Sequence, residues 1–213
     1  MKYPEINEKL FQHSYTWESY QDLLQQLMEE NKTTGQDQSP SLVEYARINL
    51  QRNKRIEKTF QADQGSAEKI LQIDRPLLLL MITEGWCGDA AQILAAVYHL
   101  SKLNAHLTTR VILRDEHPEV MDHFLTNGGR AIPVILAIEP EIYNVLGKWG
   151  PRPALLQELV QGWKNEMTKT EMAEKIHGWY AKDKTVTTQR EFSEWLLSSF
   201  SEILKQVPSE MMK

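Results

Sequence analysis

The chain has 213 residues, 41% of them hydrophobic and 25% charged, with a formal net charge of -5 and a pI near 5.7. That length and apolar content support a sizeable core, as one decorated domain or two small ones, and exclude a disordered or fibrous chain. The acidic balance argues against nucleic acid or an anionic membrane as partner, since such binding draws on clustered positive charge.

The first 72 residues read as helical, because apolar residues recur at helical spacing without strand-like alternation. Tyr20, Leu23, Leu24, Leu27 and Met28 form one stripe, with Thr16 as N-cap and Glu18 in the first turn. After the polar break "NKTTGQDQSP", Ser41 and Glu44 have capping-box spacing and open a helix carrying Leu42, Tyr45, Ala46, Ile56 and Phe60. Asn49 and Asn53 fall on the same face and make it a weak seam, while the basic run "RNKRIEK" from Arg52 to Lys58 reads as a solvated face. From Pro76 the texture changes. The run "LLLLMIT", Leu77 to Thr83, is expected as a strand buried on both faces, followed after Cys87 by a helix with Ile93, Leu94, Val97, Leu100 and Leu103 on one side. "LTTRVILR" predicts a second strand, and "PEVMDHFL" a short helix from Pro118. "IPVILAI" and "IYNVLGKW" predict an antiparallel pair turning at Glu139-Pro140-Glu141. Pro153 then starts a helix with Leu155, Leu156, Leu159, Val160 and Trp163 on one face. The C-terminal part is helical again: Thr188 and Glu191 have capping-box spacing, and Phe192, Trp195, Leu196, Ser199, Phe200 and Ile203 form a stripe. Such a stripe must be covered, by folding back on the central unit or, as the second choice, in a homodimer.

The chain holds one cysteine, so no internal disulfide forms and a reducing compartment is favoured. The segment "MKYPEINEKLF" has no apolar signal core, and the longest apolar run, Leu77 to Ile82, is too short to span a bilayer. A cytoplasmic protein is expected. Cys87 sits in "EGWCGDAAQ", where the first strand gives way to a helix, so unsatisfied N–H groups and the positive end of the helix dipole face its sulfur. Such positions lower a cysteine pKa from ~8.5 to between ~3.5 and ~7.5, which makes an activated nucleophile the expectation; Asp89 opposes it by repelling the thiolate. The contrary reading is a small buried hydrophobe.

The order strand, helix, strand, helix, strand, strand, helix from Leu77 to Trp163, together with "WCGD", "GGRAIP" and "LGKWG", resembles the thioredoxin family, and more narrowly a bacterial branch in which Asp replaces the proline of the Trp-Cys-Gly-Pro-Cys motif. The resemblance implies an α/β thioredoxin fold over residues 76–165, with helical extensions at 1–72 and 166–213, the latter packed on the core. It implies Cys87 as the catalytic thiol and Pro133 as the cis-proline opposite it. Ile132 would present its backbone to an extended substrate, Trp86, Gly88 and Asp89 would shape the approach to sulfur, and Gly150 would end the last strand beside the site. Trp149 and Arg152 are candidates for the rim of a groove, against the plainer reading of "WGPRP" as a turn before a helix.

Two departures from the family pattern stand out. Ala90 takes the place of the resolving cysteine, so a mixed disulfide at Cys87 can be released only by an outside thiol, and Met81 replaces the buried aspartate that serves the missing cysteine. The leading expectation is a monothiol thiol-disulfide oxidoreductase acting on a protein or low-molecular-weight thiol or disulfide, with no cofactor and no metal. The alternative is a redox-inactive protein-binding module. A one-cysteine peroxidase fares worse, because the threonine-proline approach to cysteine is missing. Asp115, His117, Asp122 and His123 in "RDEHPEVMDH" match no compact ligand spacing, and a polar surface is the expected reading.

Overall fold

In the computed structural model, which describes residues 1–164 and 166–206, four helices precede the sheet: α1 (Glu8–His13), α2 (Trp17–Glu29), α3 (Pro40–Thr59) and α4 (Gln64–Leu71). There follow β1 (Leu77–Thr83), α5 (Ala90–Ser101), β2 (Leu107–Leu113), α6 (Pro118–Met121), β3 (Val134–Glu139), β4 (Asn144–Trp149), α7 (Ala154–Trp163), α8 (Lys169–Asp183) and α9 (Val186–Gln206). This is the expected α/β thioredoxin-like fold with helical extensions. The sheet order is β2-β1-β3-β4. β1 pairs parallel with β2, Leu77 opposite Leu107, and antiparallel with β3, Ile82 opposite Val134. β3 and β4 are antiparallel, with a register shift at Ala137/Ile138.

The continuous apolar run of β1 is explained by its central place, since Leu79, Leu80, Met81 and Ile82 are all fully buried. α5 packs on the sheet and is enclosed by α3, α4 and α9, and its Ile93, Leu94, Val97 and Leu100 are buried. The N-terminal segment shields both sheet edges: Tyr15 exchanges backbone hydrogen bonds with Val111 on β2 (2.9 and 2.8 Å), and the Val145 N–H on β4 donates to the Met1 carbonyl (2.8 Å).

Several local expectations are corrected. α3 begins at Pro40 with Ser39 as its N-cap residue, not at Ser41, because a proline at the first helical position needs no N–H partner and presets φ. Tyr45 and Leu155 fall on exposed rims of their helices. Thr188 lies inside α9, fully buried with its hydroxyl unpartnered among the described residues, because the Asp183 carboxylate already accepts from the Thr187 N–H (3.1 and 3.2 Å) and starts the helix earlier. The capping box belongs to α8 instead: Thr168 Oγ1 accepts from the Glu171 N–H (3.3 Å) and the Glu171 carboxylate from the Thr168 N–H (2.8 Å). The α9 stripe folds back on β4, α4 and α5, burying Phe192, Leu196 and Phe200. The Ile203 side chain lies outside those described.

Candidate functional site

β1 delivers the chain to Thr83, and after six intervening residues α5 begins at Ala90. The turn between them is clamped from outside the thioredoxin core. Asn49 of α3 donates from Nδ2 to the Gly85 carbonyl (3.0 Å), and the Gly85 N–H donates to Thr34 Oγ1 (2.8 Å). The Glu84 carboxylate, 1% exposed, accepts from the Thr34 hydroxyl and from the Asp115 N–H (2.9 Å), and burial pushes its carboxyl upward. A Cβ on Gly85 would stand 2.7 Å from Leu24 Cδ2, so α2 packs directly on the turn. The supposed seam at Asn49 is therefore a site support, and both Asn49 and Asn53 are buried.

Cys87 reaches across to the strand opposite. Its Sγ donates to the Ile132 carbonyl at 3.3 Å, and Ile132-Pro133 is a cis peptide. Gly150, at φ +109°, lies so close to Pro133 that a Cβ would collide with the Pro133 carbonyl oxygen, so this position tolerates only glycine. The structure thus gathers Cys87, Ile132, Pro133 and Gly150 in one place. The Ile132 carbonyl, expected to serve an extended substrate, is engaged by the thiol itself.

The state of the sulfur reverses the expectation of an activated thiolate. Cys87 is 8% exposed, and its thiol is pushed up to about 12, first by burial and then by the Asp89 carboxylate. The N–H groups of Ala90 and Asp89 at the start of α5 act in the lowering direction and are outweighed. The helix terminus is present; its effect is lost because water is excluded and an anion stands beside the sulfur.

That anion is itself tied down. Asp89 accepts from Arg152 through both oxygens, Nε to Oδ1 at 2.9 Å and Nη2 to Oδ2 at 2.6 Å, and from the Tyr180 hydroxyl of α8 at 2.9 Å. Arg152 therefore holds the chain's own carboxylate. α8 roofs the turn, and a Cβ on Gly88 would stand 2.7 Å from His177 Cε1. Trp86 is half-buried with the Arg114 guanidinium 4.7 Å above its ring; Trp149 packs edge-on against Phe192 of α9 and, with Gly150, Pro151 and Arg152, lines an open groove beside α7 and α9, as the sequence candidates for a groove rim anticipated. Arg52, from the run expected to be a solvated face, turns inward beside Gly88. Asn49, Arg52, His177 and Tyr180 were missed as site residues. Asn49 alone had a sequence signal, a polar side chain on an apolar helical stripe.

His177 is held neutral, lowered to about 4 first by burial and then by the charges of Arg52 and Arg152. Its folded value lies below that of the unfolded chain, so its contribution is complete above about 6.5 and is lost as pH falls through about 4. Comparing urea unfolding at pH 7.5 and 4.5, wild type is expected to lose about 1–2 kcal/mol more than His177→Gln, the full linkage being reduced because the ring is partly solvated. Glu84 and Asp89, both raised by burial, act in the opposite sense in either protein and cancel in the difference.

The residues of "RDEHPEVMDH" find separate partners: Asp115 with Arg114, His117 with Glu119, Asp122 with Arg130 and His123 with Glu5. Among the described residues no group of His, Cys, Asp or Glu is gathered as a ligand set, and no helix is long and apolar enough to cross a membrane.

A family model described as Thioredoxin matches residues 35–172, and the chain belongs to that family. The crystal structure of a protein of unknown function from Pseudomonas aeruginosa is similar at a TM-score of 0.61, with 16% identity, covering 92% of this chain and 96% of that one. The crystal structure of an HIV epitope-scaffold is similar at a TM-score of 0.58, also with 16% identity, over 91% of this chain and 96% of that one. At this identity the likeness concerns the fold alone. No curated protein matches.

Proposed function

We propose that this chain is a redox-silent binding module built on the thioredoxin fold, acting in a reducing compartment such as the cytoplasm. One observation carries the reading: the Cys87 thiol is buried in the turn that α8 roofs, donates to the Ile132 carbonyl, and is pushed up to about 12. Disulfide exchange begins with attack by an accessible thiolate, and this sulfur is neither accessible nor ionised near neutral pH. With Ala90 in place of a second cysteine, nothing in the chain would release a mixed disulfide. In excess glutathione disulfide at pH 7.5, the folded chain is expected to stay free of adduct by mass spectrometry while the urea-unfolded chain becomes glutathionylated. Adduct formation on the folded chain as fast as on the unfolded one would overturn this reading.

The monothiol alternative keeps one specific support. Cys87 faces the backbone of Ile132, so outward movement of α8 would expose the nucleophile and the substrate-pairing strand together. In that mechanism the Cys87 thiolate bonds to one sulfur of a disulfide, the other sulfur leaves as thiolate, and an external thiol then displaces Cys87 by the same exchange. A Tyr180→Ala variant that accelerates adduct formation tenfold or more while remaining folded would favour gated exchange; an unchanged rate favours the silent module.

A further inference from the structure

Above the Trp86–Asp89 turn, α3 and α8 flank an open cleft of about 290 Å³. One wall is apolar, formed by Leu42, Trp86, Met172 and Ile176. The other presents Gly88, Asp89, Arg152 and His177, with Lys169 at the mouth. Charge is unbalanced there. Asp89 is the one carboxylate, and it is already engaged by Arg152 and Tyr180. Arg52 is half-buried, with Nη1 3.6 Å from the place a Gly88 Cβ would take. Its hydrogen bond is from Nη1 to Asn49 Oδ1 (2.8 Å), and it has no carboxylate partner among the described residues. His177 Nε2 stands 3.1 Å from that same place, and the ring makes no hydrogen bond among the described residues, its Nδ1 being buried without a partner. A half-buried guanidinium with unused N–H groups, next to an imidazole with an unused nitrogen, is the arrangement that an oxyanion completes.

We propose that this cleft binds a small organic anion, a carboxylate or phosphate monoester on a compact apolar body. Arg52, which stands beside the lining at Gly88, and His177 Nε2 hold the oxyanion over that glycine, Arg152 and Lys169 add positive potential against Asp89, and the Leu42, Met172 and Ile176 wall takes the apolar part. The proposal rests on the binding-module reading and gives it a ligand class. At the small end of ligand cavities, the site suits a body of about ten non-hydrogen atoms.

The test is calorimetric titration of the full chain with phenyl phosphate and with benzoate, which separates phosphate from carboxylate, alongside inorganic phosphate and benzyl alcohol. At least one aryl anion is expected to bind with a Kd of about 1 mM or tighter, and each half-probe at least tenfold more weakly. Arg52→Gln should weaken the aryl anion at least tenfold, and Ala173→Phe, which fills the cleft from α8, should abolish binding even if the Arg52 variant fails to fold. The proposal is overturned by no saturable binding of either aryl anion, by half-probes that bind equally well, or by affinity unchanged in the folded variants. Cys87→Ser should bind as wild type does. The glutathione experiment reads the thiol separately, so loss of the anion site would leave the silence of Cys87 standing, and a reactive thiol would leave the anion titration standing.

Discussion

Iodoacetamide is expected to label Cys87 in the folded protein at pH 7.5 about 10²–10³-fold more slowly than in the urea-unfolded chain. With the thiol raised to about 12 instead of ~8.5, the thiolate fraction falls by about 3.5 orders of magnitude. The higher basicity of the remaining thiolate returns about 1.5 orders through its greater nucleophilicity, and obstruction by Tyr180 and His177 slows the reaction again. The pH profile distinguishes these causes from simple obstruction. A raised thiol gives a rate that climbs with pH beyond 9 without levelling, whereas an accessible, activated cysteine reaches its plateau near or below neutrality. A plateau below pH 8, or native labelling within tenfold of the unfolded rate, would restore the catalytic reading of Cys87.

The contrast between that expectation and the sequence reading shows what a linear pattern carries. β1 was legible because a strand buried on both faces must be a continuous apolar run, and Leu77–Thr83 has no other stable use. The pairing of β3 with β4 followed from a short turn between two apolar runs, and the approach of Cys87 to Ile132 and Pro133 was what the thioredoxin resemblance implied. The charge state of the sulfur was not legible. It depends first on burial, and the turn is roofed by α8, which begins more than 80 residues after Cys87 and whose Tyr180 and His177 carry no local sign of where they will dock. The Thr168–Glu171 spacing, missed in the sequence reading, would have marked the start of that helix, but a cap fixes a boundary and says nothing of the surface the helix covers. Arg52 was misplaced for the same reason, since a basic run looks solvated until the turn it leans on is known. Likewise the helix dipole at Cys87 was real, and burial decided against it.

The pair that ties α8 and the segment before α7 to the Cys87 turn makes the second large effect. Arg152→Ala is expected to destabilise the fold by about 3 kcal/mol at pH 7.5, because it removes both guanidinium bonds from Asp89, whose side chain is only 11% exposed, and leaves a buried anion with the Tyr180 hydroxyl alone. Protonation of Asp89 limits the cost. Its folded pKa is already raised by burial and rises further without Arg152, so the variant is least handicapped in acid and loses stability as pH climbs through that value. The deficit relative to wild type should therefore be smaller at pH 5 than at pH 7.5. Asp89→Asn is expected to cost less, about 1–2 kcal/mol, since the Arg152 side chain is 22% exposed, keeps its bond to Gln157 Oε1 (3.2 Å) and stays partly hydrated. Urea unfolding of both single variants and the double variant Asp89→Asn/Arg152→Ala checks the asymmetry: the double variant should be more stable than Arg152→Ala alone, because the stranded charge is gone. Equal costs for the two single changes, independent of pH, would mean that the pair is solvated and that α8 does not seal the turn.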